Sequence, residues 1–126
     1  PQAKFQLLDC RAIVSLDRSF DAIVCGFCLP YLDPEETTQV IKDAATVLRK
    51  HGVIYLSTME DDPAKSDWRA SSSSPGEQVY MRYYEADFIT EALQAHGFTV
   101  LHLSRTQTSA ADGTVFNDMM IVAQIA

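Results

Sequence analysis

The chain has 126 residues, 47% of them hydrophobic and 21% charged, and carries a net charge of −7. That is one domain's worth, with no apolar run of membrane-spanning length and no signal-peptide pattern, so a cytoplasmic protein is expected. The acidic balance disfavours nucleic acid and anionic membranes as partners, and three cysteines without framework spacing or a nearby histidine exclude a disulfide scaffold and a zinc finger.

In chain order, "KFQLLDC" (4–10) and "FDAIVCGF" (20–27) are short apolar runs that read as buried strands. The clearest helix follows. Asp33 suits the N-cap, Pro34 the first helical position, and Glu35 and Glu36 the positive end of the dipole. Val40, Ile41, Ala44, Ala45, Val47 and Leu48 then form one apolar stripe, with Arg49, Lys50 and His51 at the negative end and Gly52 as the stop. "VIYLST" (53–58) is a β-branched strand, so strand, helix and strand with short connections predict a parallel crossover.

From Met59 to Gln78 the chain turns polar, with four serines at 71–74, Pro75 and Gly76, and reads as a lid or disordered loop; the serines read as linker. A second helix is expected over Ala86–His96 with Gly97 as its stop. "FTVLHLSRT" and "VFNDMMIVAQIA" flank Ala111-Asp112-Gly113-Thr114, a hairpin signal that ends the chain in an antiparallel pair.

Cys25-Gly26-Phe27-Cys28 has the spacing of a redox dithiol. Such a pair normally opens a helix, whose free N–H groups stabilise the thiolate. Here the nearest helix start is at Asp33, so the cysteines read as small buried hydrophobes. The histidines at 51, 96 and 102 are scattered and receive no metal or base role.

Taken together, a strand ending in Asp9, "FDAIVCGFCLPYL", "AATVLRKHGVIYLST", a helix ending in Gly-Phe and a terminal hairpin resemble the C-terminal part of a class I S-adenosylmethionine-dependent methyltransferase. The resemblance covers nearly all of the chain, with His51 where the family usually has Pro. It implies an α/β fold, a Rossmann-like, mostly parallel sheet flanked by helices, whose first strands and glycine-rich loop are missing. Residues 1–126 would then be a single partial domain that starts in mid-domain and is inactive alone.

The resemblance implies S-adenosylmethionine as cofactor. Asp9 would accept from the adenine amino group, with the Cys10 backbone N–H as donor and Arg11 beside them. The simpler reading is that Asp9 caps the turn and Arg11 pairs with a surface acid. Cys25, Gly26 and Phe27 would form the second cofactor wall, with Gly26 leaving room for close approach. Tyr31, Trp68 and Tyr83 are candidates for the acceptor site, with Tyr80 and Tyr84 close by; packing is the alternative for each. The reaction implied is methyl transfer to a small-molecule acceptor, which needs no universal base, so no catalytic residue is assigned. A non-catalytic interaction module on the same fold is the alternative. An unpaired apolar edge at Phe20–Phe27 further predicts a homodimer through that sheet edge.

Overall fold

A computed structural model describes residues 3–70 and 76–126. In chain order its elements are a 3-10 turn (Cys10–Leu16), β1 (Phe20–Gly26), a 3-10 turn (Leu29–Tyr31), α1 (Pro34–Val47), β2 (Leu48–Met59), a 3-10 turn (Pro63–Lys65), β3 (Asp67–Ala70), β4 (Gln78–Met81), α2 (Ala86–Ala95), β5 (Phe98–Ser109) and β6 (Val115–Ile125). One sheet has the order β1-β2-β6-β5; β3 and β4 pair separately.

β1 runs parallel to β2, from Ala22 opposite Val53 to Gly26 opposite Ser57, as a strand-helix-strand unit requires. β6 is antiparallel to both β2 and β5. The sheet is therefore mixed, with one parallel interface and two antiparallel ones, where a mostly parallel sheet was expected. The terminal hairpin accounts for this, because it inserts its second strand beside β2.

α1 and α2 build the core against one face. Val40, Ile41, Ala44, Ile89 and Leu93 are buried with Ile54 and Leu56 of β2 and Met119, Ile121 and Ala123 of β6. On the opposite face Val24, in register with Tyr55 and Val122, is 75% exposed.

α1 starts as its sequence dictates. Asp33 Oδ1 accepts from the Glu36 N–H at 2.7 Å and Glu36 Oε1 accepts from the Asp33 N–H at 3.1 Å, a complete capping box. Asp33→Ala is expected to lower stability by about 1 kcal/mol in urea denaturation. An unchanged midpoint would show that the box contributes nothing.

Three expectations are corrected. Lys4–Cys10 is not a strand: residues 3–9 have no regular structure, and Phe5 and Leu7 are fully exposed. Beside β1 it would need a parallel crossover from Cys10 to Phe20, and much of that stretch is wound into the 3-10 turn, which leaves too little reach.

The second correction concerns the end of α1, which stops at Val47 rather than at Gly52. Leu48 is already extended (φ −79°, ψ 139°) and buried, and His51 makes the turn in the left-handed region at φ 65°. Phe20 pairs with Leu48 while Ala22 pairs with Val53, so residues 49–52 loop out of the parallel ladder. Gly52 serves packing: a Cβ there would lie 2.8 Å from the Arg49 carbonyl oxygen and 3.1 Å from that of Asp21. Arg49 does not cap the helix; it meets Asp21 across the register shift at 2.9 Å.

Third, residues 59–70 and 76–78, expected to belong to a lid or disordered loop, carry regular structure. They contain the 3-10 turn at Pro63–Lys65, β3 and the first residue of β4. The pairing of Trp68 with Tyr80 and of Arg69 with Val79 gives the polar stretch a hairpin that its composition hid. The serines at 71–74 expected to be linker, and Pro75, lie outside the described residues. α2 ends as expected, with Gly97 at φ 88° directly after its cap, and the terminal hairpin forms around Asp112-Gly113.

Candidate functional site

Two segments meet beyond the carboxyl end of β1, the position at which open α/β sheets hold their ligands. The first leaves the strand through Phe27, whose φ of 51° is a strained value for a bulky residue. Its N–H is held by the Ser57 carbonyl at 3.0 Å and the Ser57 hydroxyl at 3.2 Å. A Cβ on Gly26 would find only Ser57 Oγ within reach, at 3.9 Å, so protein does not fill the space over that residue.

The second segment is the turn opened by Asp9. Its carboxylate accepts from the Arg11 backbone N–H at 2.9 Å and from the Arg11 guanidinium, which also reaches Glu36 at 2.7 Å. Hydrogen bonds from Arg11 hold the Asp9 carboxyl down at about 2. The Asp9–Arg11 contact is therefore complete above the usual carboxylate range and is lost only as pH falls through about 2. Glu36 is lowered chiefly by the Asp33 N–H and then by Arg11.

Asp9, Cys10, Arg11, Phe27 and Tyr31 together line one groove of about 470 Å³. Cys28, Leu32 and Glu36 line it too. The sequence reading gave none of these a site role; Glu36 was read only as an acid at the positive end of the helix dipole, and the structure adds its part in the capping box.

Cys25 lies buried at the strand end rather than on the groove wall, and Gly26 sits beside it on the exposed side. Burial, and then the neighbouring Cys28, push the Cys25 thiol up to about 12; burial also raises Cys10. All three cysteines are free thiols, and Cys25 remains protonated at neutral pH. This is the opposite of a dithiol nucleophile.

Trp68 and Tyr83 do not join the groove. Trp68 is 57% exposed on β3 and meets Tyr80 edge-on, with centroids 5.5 Å apart. Tyr83 is buried, its hydroxyl accepting from Arg69 Nη2 at 3.3 Å, and it borders two neighbouring cavities beyond α1 and the hairpin tip. Among the described residues no cluster of His, Cys, Asp and Glu could hold a metal ion, and no helix is long and apolar enough to cross a membrane.

A sheet packed with helices and a groove at this strand end is the arrangement of an open α/β fold. A methyltransferase-domain family model matches residues 1–56. No curated protein matches the chain by sequence. Among solved structures, an S-adenosylmethionine-dependent methyltransferase of Methanosarcina mazei is similar over 98% of this chain and 68% of its own, with a TM-score of 0.79 at 16% identity. One from Clostridium acetobutylicum is similar over 87% of this chain and 60% of its own, with a TM-score of 0.63 at 14% identity. Magnesium protoporphyrin IX methyltransferase of Synechocystis PCC 6803, solved with bound S-adenosylmethionine, shares 99% of this chain and 47% of its own, with a TM-score of 0.66 at 17% identity. The chain thus spans about half to two-thirds of these proteins. The family match takes in residues 1–56 of the chain, and the structural likeness over nearly all of it shows the fold of class I S-adenosylmethionine-dependent methyltransferases.

Proposed function

We propose that this chain is the C-terminal part of an enzyme that transfers the methyl group of S-adenosylmethionine to a small-molecule acceptor. The observation that carries the reading is the groove in which the Asp9–Arg11 turn faces Phe27 and Tyr31 across the end of β1. The residues present suit the adenosine end of the cofactor. Among the described residues no other residue accepts from the Cys10 N–H, and the Asp9 carboxylate stands beside it as acceptor. One donor next to one acceptor is what the edge of an adenine ring requires.

Arg11 occupies the Asp9 oxygens and would have to swing aside; its side chain is 55% exposed, so the movement costs little. The cofactor supplies an electrophilic methyl on a sulfonium. The chain's own residues orient and exclude water: Phe27 and Gly26 shape one wall, Cys25 fills the strand end beneath, and Tyr31 borders the groove where an acceptor would enter. Trp68 and Tyr83, set back from the groove, take part in this reading through the β3–β4 hairpin, whose Arg82 N–H donates to the Pro30 carbonyl at 2.9 Å, one residue before Tyr31.

β1 is an edge strand of the described sheet. We propose that further strands of a longer enzyme, or a second copy of the chain, cover it. Without them the fragment should bind the cofactor weakly and remain inactive.

The test is calorimetric titration of S-adenosylmethionine into the intact enzyme. Asp9→Ala is expected to weaken binding by about 1–3 kcal/mol through the adenine donor it strands, with the fold retained. Unchanged affinity would remove Asp9 from the site.

A further inference from the structure

A second cavity, of about 270 Å³, lies beyond the Leu29–Leu32 turn from the cofactor groove, between the starts of α1 and α2 and the β3–β4 hairpin. Its walls are mainly the rings of Tyr80, Tyr83, Tyr84 and Phe88 and the prolines 34 and 63. Each phenol oxygen among them already has a protein partner. Tyr80 donates to the Ser66 carbonyl at 3.3 Å, Tyr83 accepts from Arg69, and Tyr84 donates to the Leu32 carbonyl at 2.5 Å. Ser66 has one as well, its hydroxyl oxygen accepting from the Tyr83 N–H at 3.0 Å. The Tyr83 and Ser66 hydroxyls act only as acceptors here and keep their own protons, so these residues offer a ligand mainly apolar ring surface, with two hydroxyl donors beside it.

Arg82 is the exception. Its guanidinium lies over the Tyr80 ring, 4.8 Å from the centroid, and makes no ion pair or side-chain hydrogen bond among the described residues. The ring contact leaves the guanidinium N–H groups without a protein partner among the described residues, and a guanidinium can make two parallel hydrogen bonds with a carboxylate. Glu85, the other charged group on the lining, sits at the N-cap of α2, where the helix dipole compensates it. The cavity exceeds the roughly 150 Å³ that can hold benzene, so it has room for a ring bearing a substituent, or for two fused rings.

We infer that this cavity binds a small planar aromatic carboxylate, with the ring against Tyr80, Tyr83 and Phe88 and the carboxylate on Arg82. The site is separate from the cofactor groove but tied to it, because the Arg82 N–H holds the Pro30 carbonyl and Tyr84 holds that of Leu32. It shares Tyr83 with the proposed acceptor residues. Its test is direct binding without cofactor, so a failure of methyl transfer and a failure of this site are told apart.

The probes are 2-naphthoate, 2-naphthamide and acetate, each titrated into the full chain by calorimetry, with amide NMR shifts to locate the contact. Naphthoate should bind and shift Tyr83, Tyr84 and Phe88, while naphthamide, with the ring but no charge, and acetate, with the charge but no ring, should each bind at least tenfold more weakly. Arg82→Gln keeps the backbone bond to Pro30 and should cut naphthoate affinity at least tenfold, leaving that of naphthamide unchanged. Glu85→Gln should leave naphthoate binding intact or strengthen it. Equal affinity for acid and amide, an unaffected Arg82→Gln, no naphthoate binding at millimolar concentration, or shifts confined to another surface would each overturn the assignment.

Discussion

Truncating Tyr84 to alanine is expected to lower the stability of the chain by about 3–5 kcal/mol, with Tyr84→Phe accounting for about 1–3 kcal/mol of that loss. The ring is 3% exposed and packs at a tilt on Phe88, with centroids 5.5 Å apart. Its hydroxyl lies 2.8 Å from Thr37 Oγ1 and donates to the Leu32 carbonyl, so Thr37 acts as donor to Tyr84. Burial raises the phenol pKa, which keeps the donated proton in place through the neutral range. Losing the hydroxyl strands a buried carbonyl and a buried threonine at once. Urea denaturation of Tyr84→Phe, Thr37→Val and the double variant separates the contributions. A sum of the two single losses equal to that of the double variant would show that the hydroxyls do not interact.

Which parts of this molecule could be read from sequence depended on whether the deciding interactions were local. The N-terminus of α1 was legible because Asp33, Pro34 and Glu36 carry its cap within four residues, and the terminal hairpin because Asp-Gly specifies its own turn. The C-terminus of α1 was not. Propensity and charge favour helix through His51, yet the chain turns outward at Leu48 because β2 must reach β1, and the register shift beside Gly52 takes up residues 49–52. The β3–β4 hairpin was hidden for a similar reason, its pairing joining residues on either side of a polar stretch that has no alternating pattern.

The site divides along the same line. Phe27 was legible as the residue that follows a strand, whereas Asp9 and Cys10 were read at the end of a strand that does not form and instead open a 3-10 turn. The pairing of Arg11 with Glu36, twenty-five positions apart, and the stacking of Arg82 on Tyr80 are products of folding. Lys4–Cys10 shows the converse case, since an apolar run without a neighbouring strand has no ladder to complete and stays extended in water.

The segment between β1 and α1 offers the other large effect, and it separates fold from function within five residues. Leu29→Ala is expected to cost about 2–5 kcal/mol, because its side chain is fully buried in the cluster that also contains Leu32, Ile41 and Tyr84, and the hydrogen-bonded turn around it cannot collapse to fill the cavity. Its neighbours face the groove and should behave differently. Tyr31→Ala removes a side chain that is 59% exposed and should change stability by no more than about 0.5 kcal/mol. Phe27→Gly places at φ 51° the residue best suited to it, so relief of strain offsets the half-exposed ring that is lost. If the groove serves the cofactor and acceptor as proposed, the exposed pair should impair ligand binding or turnover in the intact enzyme while Leu29→Ala first impairs folding. The denaturation midpoints of the three variants, set beside their affinity for S-adenosylmethionine, give the answer: a Tyr31 or Phe27 variant that unfolds as readily as Leu29→Ala would mean that this segment is core throughout and that its exposed side has been misread as a binding wall.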